Sequence, residues 1–496
     1  MAVAFALSLA AWLYGGTRAD LVAKTFPWLV AVLVEVLLCF PQRHKDETTY
    51  GARVRVWKAM SRDWVFWASA AFLALLAIPF ANFGLCVSCD AARIAAFHLD
   101  PAPPIPVLPF CVNTAEHLNV FLWFALALAA MLVMRHSVNS HGKRLTLALV
   151  VWNAVALTAF GFLQAALGAP GPFWNPNGGT YWGNPHFFST FGYANMGGAY
   201  FTMAMCAAIA LWRDNVGRLQ AAHAAKDISK TAPDRPRMFW RRHYYLLPAA
   251  LLYFAALNTL SRAAILLATF CAAIFFFHAF SSFLVRCHRA EKVKAAFVWI
   301  AAFLVVLFVA VAFMPKDLKK EVKTIGTREV LDRVSGREQS QVELGVSVWW
   351  DHRIFGCGGW GYKHFSAQKM SDKTRSQLKY ESGGINVHND MIQILAEHGA
   401  VGLLLLLAIA VLLLRRTFAV WGKLAQAARF DVSRNGHLPR PVQLFALPAP
   451  AFALLVGLLA VLIHSMGDCP LRSPANLALF FVALAAIDGF VPKLKE

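Results

Sequence analysis

The chain has 496 residues, of which 58% are hydrophobic and 15% are charged. A mean hydropathy of +0.51 excludes an ordinary soluble globular protein, because one core could not bury so many apolar segments. The formal net charge of +20 is expected from basic segments that flank membrane spans and contact anionic lipids, so it does not indicate nucleic-acid binding.

Apolar segments long enough to cross a bilayer recur along the chain, and about twelve of them are predicted transmembrane helices. They fall at residues 2–16, 26–40, 64–83, 114–134, 145–167, 190–212, 244–258, 263–284, 295–314, 391–414, 447–465 and 474–491. The predicted fold class is therefore all-α, a polytopic integral membrane protein. No basic segment precedes the first apolar stretch, so we interpret it as a retained span and not as a cleaved signal.

Lysine and arginine set the predicted orientation. They concentrate in segments such as 41–63, 213–243 and 415–446, which the positive-inside rule places in the cytoplasm with both termini. The alternation of spans then places the loop at 315–387 outside. Its own basic residues do not contradict this, because a loop this long carries little weight in the rule.

The same pattern divides the chain into four parts. We expect N-terminal transmembrane helices over 1–167, central transmembrane helices with an aromatic outer loop over 168–314, the long outer loop over 315–387, and C-terminal transmembrane helices over 388–496.

Nine cysteines are present, and in this topology five of them lie outside. They are Cys86, Cys89, Cys111, Cys357 and Cys469. An oxidising compartment permits disulfides, but the sequence leaves open whether these residues are bridged or free thiols.

The outer loop at 168–195 has no charged residue and is rich in aromatic residues. Such rings are typical of an aromatic belt at the lipid headgroups. They could also stack on sugars, with Asn175, Asn177 and Asn184 offering hydrogen bonds.

The long loop changes character along its length. Apolar residues near helical spacing predict one or two surface helices in its first part. Four glycines then occur within 356–361 and predict a tight turn. This turn lacks the Lys-Ser/Thr ending of a P-loop, so nucleotide binding is not expected.

Polar side chains stand at the outer ends of several spans. Arg262, in the short Leu260-Ser261-Arg262 turn, either snorkels to headgroups or has a function. In the long loop, Arg337 and Arg353 are candidate phosphate ligands, because a guanidinium group matches phosphate oxygens in a bidentate manner.

His388, Asn389 and Asp390 precede the apolar helix that follows the long loop. Asn389 and Asp390 could simply be helix caps. However, a histidine at a helix start is biased toward its neutral form and can accept a proton. The last outer turn, 464–472, could be a cap, a strut between Asp468 and Arg472, or part of the same pocket.

Taken together, several of these motifs resemble the O-antigen ligase and polymerase superfamily of bacterial membrane glycosyltransferases. They are Leu-Ser-Arg-Ala-Ala (260–264), Ser-Gly-Arg (335–337), Phe-Gly-Cys-Gly-Gly-Trp-Gly-Tyr (355–362), His-Asn-Asp-Met-Ile-Gln-Ile-Leu-Ala-Glu-His-Gly (388–399), His-Ser-Met-Gly-Asp-Cys-Pro-Leu-Arg (464–472), and Ser-Thr-Phe-Gly-Tyr-Ala-Asn-Met-Gly-Gly-Ala-Tyr (189–200). The resemblance covers roughly residues 170–490. Two positions depart from the family pattern, Asp390, where a neutral residue is commoner, and Cys357 in the glycine-rich stretch.

The resemblance implies a GT-C-like fold in the bacterial inner membrane, with the long loop and the active site in the periplasm. It implies an inverting, metal-independent transfer of a glycan from undecaprenyl diphosphate, with no cofactor. The acceptor would be lipid A core, a second lipid-linked glycan or a protein hydroxyl, and the sequence leaves this open. By motif, Arg262 and Arg337 would hold the diphosphate and His388 would take the acceptor proton.

Asn195, Asn389, Asp468 and Arg472 lie in the motifs that carry the resemblance, and with Arg353 of the long loop they are the candidate substrate-binding residues. No Asp-x-Asp pair occurs in the chain, so a standard metal–diphosphate site has no obvious ligands.

Two other classes of function remain as alternatives. A transporter or flippase for lipid-linked glycans would predict inverted repeats or broken helices near the bilayer midplane, and the sequence shows no such repeat. A non-catalytic scaffold would leave the polar residues at the outer loops without a role. The glycan and the oligomeric state are not readable from the sequence.

Overall fold

The computed structural model describes residues 1–43, 46–84, 103–105, 107–175, 187–226, 240–286, 319, 323, 341–369, 386–435 and 447–492. The named α-helices are α1 (Ala2–Trp12), α2 (Ala19–Cys39), α3 (Thr49–Ser61), α4 (Trp64–Ala77), α5 (Thr114–Leu132), α6 (Ser140–Ala166), α7 (Ala194–Lys226), α8 (Leu246–Asn258), α9 (Arg262–Arg286), α10 (Gly361–Lys369), α11 (Asp390–Asn435), α12 (Ala449–His464) and α13 (Pro474–Ala486). Residues 341–350 are also helical, as the apolar spacing there predicted.

The helices form a membrane bundle around two buried members. Most of the apolar parts of α5 and α7 is buried, 89% and 94%, whereas only 28%, 28% and 22% of those of α2, α9 and α11 is buried. Helix α5 packs against α2 and α13, and α7 packs against α8 and α12. An apolar helix with an exposed face in such a bundle presents that face to lipid.

The helical, polytopic fold class is confirmed, but the number of twelve spans is not. Among the described residues, six helices are long and apolar enough to cross a membrane, or seven if α3 and α4 count as one bent span. Helices α1, α8, α12 and α13 coincide with predicted spans but are shorter. The predicted span 295–314 lies outside the described residues.

Helix α11 is broken near its start, and this break positions the candidate site. Gly399 has φ +67° and ψ −173°, a combination that is essentially limited to glycine. The freed carbonyl groups of Ala396 and Glu397 accept hydrogen bonds from the amides of Cys357 and Gly358, both at 2.9 Å. The glycine-rich turn therefore packs into the break, and these two amides are used for structure.

The same turn is anchored to helix α5. The Gly359 amide donates to Nδ1 of His117 at 2.9 Å, and the other ring nitrogen of His117 lies 2.8 Å from the Leu76 carbonyl oxygen. An added Cβ at Gly358 would lie 2.4 Å from the Phe110 carbonyl oxygen, so only glycine fits there. The turn is thus locked between α5 and α11.

Candidate active site

His388 precedes the cap of helix α11. Asn389 is the cap, because its Oδ1 accepts hydrogen bonds from the amides of Met391 and Ile392, both at 3.1 Å. The Asn389 amide group also donates to the Met466 carbonyl oxygen at 3.0 Å, which ties the helix start to the 465–473 turn. His388 itself has φ +54°, an uncommon left-handed conformation that is enriched at functional sites.

The imidazole of His388 is paired with a buried carboxylate. Nδ1 of His388 lies 3.1 Å from Oδ1 of Asp468, and the same oxygen accepts from the Cys469 amide at 2.7 Å. The His388 side chain is 37% exposed and the Asp468 side chain is 7% exposed. The ring therefore reaches the molecular surface while its partner is held inside.

Asp468 remains a carboxylate in this setting. Burial alone would raise its pKa, but the hydrogen bond and charge of His388, the charge of His464 and the Cys469 amide outweigh burial and lower the pKa to about 2. A buried carboxylate of this kind orients an imidazole and stabilises its protonated form.

The second oxygen of Asp468 joins two more stretches of the chain. Oδ2 accepts from the Tyr193 hydroxyl at 2.8 Å and from the Asn195 amide group. Oδ1 of Asn195 in turn accepts from the Ser261 hydroxyl at 2.5 Å. Asp468 is therefore the common acceptor that joins His388 to the start of α7 and to the Leu260–Arg262 turn.

Ser261 and Arg262 begin helix α9. The Ser261 hydroxyl accepts from the Ala264 amide at 3.2 Å and so caps the helix, while Leu260 is held at φ +58°. Arg262 is the first helical residue and is exposed. Arg262 thus directly follows Ser261, the residue through which α9 joins the hydrogen-bonded network.

A second, fully buried layer supports this network. Oδ2 of Asp390 accepts from the Ser465 hydroxyl at 2.7 Å and from the Leu471 amide at 3.0 Å. Nearby, Arg472 forms two hydrogen bonds to Glu397, at 2.6 and 3.2 Å. The predicted alternatives for the last turn are thus resolved: Asp468 pairs with His388, and Arg472 pairs with Glu397.

Aromatic rings enclose the Arg472–Glu397 pair. The guanidinium carbon of Arg472 lies 4.2 Å from the ring centre of Trp360 and 5.7 Å from that of Trp123. Glu397 also accepts from the Gln393 amide group at 2.7 Å, and Gln393 accepts from the Val387 amide at 2.7 Å. This chain of contacts fixes the backbone immediately before His388.

The structure brings together most of the residues singled out in the sequence. His388, Asn389, Asp468, Asn195 and Arg262 lie within or beside one network. Sequence reasoning did not select Tyr193 or Ser261 individually, although Tyr193 stood in the aromatic loop and Ser261 in the Ser-Arg turn. The available signal was their proximity in sequence to Asn195 and Arg262.

The remaining arginines are placed differently. Arg353 is exposed, and its guanidinium group stacks on Trp350 at 4.3 Å and donates to the Trp350 carbonyl oxygen at 3.1 Å. Arg472 is buried with Glu397, as described above. Arg337 lies outside the described residues, so its predicted role stays a prediction. Of the outer cysteines, Cys111, Cys357 and Cys469 are free and buried, and Cys86 and Cys89 also lie outside the described residues.

His388, Asp468 and Cys469 are a candidate metal set, because one ligand atom from each lies within 4.8 Å of the others. Nitrogen, oxygen and sulfur donors of this kind suit zinc. However, burial and the Asp468 carboxylate raise the pKa of the Cys469 thiol, which opposes formation of the thiolate ligand. The hydrogen bond between His388 and Asp468 also makes these two groups a histidine–carboxylate pair suited to proton transfer.

A histidine–carboxylate pair at one end of an apolar helix bundle defines the class: a polytopic membrane protein equipped for acid–base chemistry beside the bilayer. Residues 247–407 match the family model described as O-Antigen ligase, which supports the superfamily that the motifs resemble. No curated protein matches the chain. Arg262, Arg353 and His388 fall inside the matched segment, whereas Asn195 and Asp468 fall outside it.

The family supports a bacterial membrane glycosyltransferase of the O-antigen ligase or polymerase type. Its substrates are by implication a lipid-linked glycan and an acceptor.

Proposed function

We propose that this protein transfers a glycan from undecaprenyl diphosphate to an acceptor hydroxyl, such as one on lipid A core, at the periplasmic face of the inner membrane. The transfer inverts the anomeric centre and uses no metal. The observation that carries the proposal is the His388–Asp468 pair, which the Asn195 and Ser261 hydrogen bonds hold beside Arg262.

His388 is the general base in this mechanism. With Nδ1–H donating to Asp468, Nε2 is the basic nitrogen and takes the proton of the acceptor hydroxyl. The Asp468 carboxylate stabilises the imidazolium ion that results. This step requires no cofactor.

The leaving group is the lipid diphosphate. As the acceptor oxygen forms its bond to the anomeric carbon, the bond from that carbon to the diphosphate oxygen breaks, and the electron pair leaves with undecaprenyl diphosphate. Arg262 and Arg337 stabilise the charge that develops there, because guanidinium groups match phosphate oxygens. The exposed position of Arg262 at the start of α9 is consistent with this role.

The test is glycan transfer by the purified protein in detergent, with a lipid-linked glycan donor and a hydroxyl acceptor. We expect His388→Ala to lower the rate by about 100-fold or more. Arg262→Ala should also lower the transfer rate, because the leaving diphosphate loses a guanidinium group that stabilises its charge. The matched control is His141→Ala, because His141 is exposed on α6. Unchanged transfer by a correctly inserted His388→Ala protein would refute the mechanism.

The acceptor class is decided by the surface glycolipid of a deletion strain. Unligated glycan left on its lipid carrier indicates ligation, single repeat units indicate a polymerase, and altered glycoproteins indicate a protein O-oligosaccharyltransferase. A transporter would move donor lipid in a flux assay without forming a glycosidic bond.

A further inference from the structure

A cavity with several arginines lies at the opposite end of the bundle from His388. On α5, His117 contacts the glycine-rich turn beside the candidate site. Arg135, which lines the cavity, follows on the same continuous helical segment, Thr114–Ser137. The rise of an α-helix separates the two by about 27 Å, close to the roughly 30 Å thickness of a hydrocarbon core. The cavity thus belongs to the other membrane surface.

The cavity has a volume of about 350 Å³ and is built from four parts of the fold. Arg62 and Asp63 come from the bend between α3 and α4, and Arg135 from the end of the α5 segment. Arg415 and Arg416 come from α11, and Asp488 from the turn after α13. This volume lies within the range of small-ligand sites.

The carboxylates on the cavity wall are already engaged by one arginine. Arg135 forms two hydrogen bonds to Asp63, at 2.5 and 3.1 Å, and lies 3.9 Å from Asp488. Within the described part of the chain, no carboxylate lies at salt-bridge distance from Arg62, Arg415 or Arg416. The lining thus carries four arginines against two aspartates, a formal net charge of +2. Arg416 also donates to the Pro492 carbonyl oxygen at 3.5 Å.

The walls next to these arginines suit a lipid. Trp64 lines the cavity and is 72% exposed, as expected for a tryptophan at the level of the headgroups. Leu412 also lines it, and the neighbouring Val411 and Phe418 of α11 are exposed large hydrophobic residues. A charged cavity that opens beside an exposed apolar helix can hold a phosphate group while acyl chains follow the helix surface.

We propose that this cavity binds the phosphate group of an anionic phospholipid from the membrane leaflet opposite the candidate active site. Arg62, Arg415 and Arg416 hold the phosphate oxygens, Trp64 contacts the headgroup, and the exposed face of α11 contacts the acyl chains. The apolar wall favours a lipid over a soluble phosphate, which would gain nothing from it.

The proposal is tested by lipid binding to the purified full-length protein, measured by native mass spectrometry after titration with phosphatidylglycerol or phosphatidylcholine. We expect the wild type to prefer phosphatidylglycerol. Arg415→Gln combined with Arg416→Gln should weaken phosphatidylglycerol binding by roughly tenfold or more. Arg62→Gln alone should weaken phosphatidylglycerol binding by a smaller factor. This single variant tests the proposal if the double variant does not fold.

The matched control removes two cations from the same end of the bundle but outside the cavity. Lys58 on α3 and Lys423 on α11 are both exposed, so Lys58→Gln combined with Lys423→Gln should leave the affinity unchanged. Equal loss in this control would show a general charge effect and overturn the proposal. Equal affinity of the wild type for both lipids, or for inorganic phosphate and phosphatidylglycerol, would overturn it as well.

Discussion

Asp468 accepts hydrogen bonds from four neighbours, and its position decides whether the candidate site exists. One carboxylate oxygen faces His388 and the Cys469 amide, and the other faces Tyr193 and Asn195. A carboxylate accepts all of these bonds, whereas an amide of the same shape places donors against donors. Both the negative charge of Asp468 and its capacity to accept four hydrogen bonds are therefore needed to hold the site together.

Asp468→Asn is expected to lower the transfer rate by about 100-fold or more, because the imidazole of His388 loses both its orientation and the charge that stabilises its protonated form. The measurement is the turnover number of the purified protein. Asp20→Asn is the control, since Asp20 is exposed and pairs only with Arg18 in the contacts of the described residues. A turnover number within twofold of the wild type would contradict the assignment.

Asp468 also predicts how stability depends on pH. Its pKa in the folded protein, about 2, lies below the ordinary 3.8. The resulting stabilisation, about 2 kcal/mol, is complete above pH 3.8 and is lost as the pH falls through 3.8 toward 2. Thermal unfolding in detergent at pH 6 and pH 3 should therefore show a larger loss of Tm for the wild type than for Asp468→Asn. Identical losses would contradict this prediction.

Arg472 was predicted to bind substrate, but it is buried in an ion pair with Glu397, which favours a structural role. Removing one partner of a buried ion pair costs about 3–5 kcal/mol, so Arg472→Gln should unfold at a clearly lower temperature than the wild type. Arg18→Gln, which breaks the exposed pair with Asp20, should cost about 1 kcal/mol or less. A stable Arg472→Gln protein with a raised KM for the donor would instead indicate a substrate ligand.

The sequence could select His388, Arg262 and Asp468 because polar residues stand out at the ends of apolar spans, and Asn195 because its motif resembles the family. It could not reveal that Asp468 connects them, because the partners are separated by 80 residues or more along the chain. Tyr193 was not selected as a site residue for a different reason. Its ring belongs to an aromatic loop, and a belt at the headgroups explained that composition equally well.

The break in α11 and the glycine-rich turn form one structural unit. Gly399 cannot accept a side chain, because an added Cβ would lie 2.2 Å from the Ile354 carbonyl oxygen. The turn in exchange supplies amides to the carbonyl groups that the break leaves free. The apolar pattern of the sequence predicted one continuous span from residue 391, so the break was not predicted.

Gly399→Ala should lower the free energy of unfolding by at least about 2 kcal/mol, because alanine is strained at this φ and ψ and collides with the turn. Gly422→Ala in the same helix is the matched control. Gly422 has open space around it, so alanine should stabilise the helix by about 0.5–1 kcal/mol. Thermal unfolding in detergent, with transfer activity as a second readout, measures both. Equal effects of the two substitutions would contradict the role of the break.

Span lengths were the least reliable expectation drawn from hydropathy. Helices α1, α12 and α13 are apolar and coincide with predicted spans, yet each is shorter than a helix that crosses a bilayer alone. Hydropathy registers apolar residues whether they face lipid or a protein core. It therefore identifies the helical class, while the number of segments that cross the membrane stays a prediction.

The bundle has two chemically different ends, and their sidedness can be measured. The predicted topology places Met466, beside His388, in the periplasm and Lys58 of α3 in the cytoplasm, and both residues are exposed. In a background without other accessible cysteines, Met466→Cys should react with a membrane-impermeant maleimide in intact spheroplasts, and Lys58→Cys only after permeabilisation. The reverse pattern would place the candidate site in the cytoplasm.

The Asp468 contacts have a consequence for fragments of this chain. The family match ends at residue 407, but the carboxylate that joins the site is supplied by the turn between α12 and α13. A truncated product that stops before this turn can insert most of its helices and still lack the partner of His388. Translation reaches this turn only after the matched segment, so under the proposed mechanism a product that stops in between should be inactive.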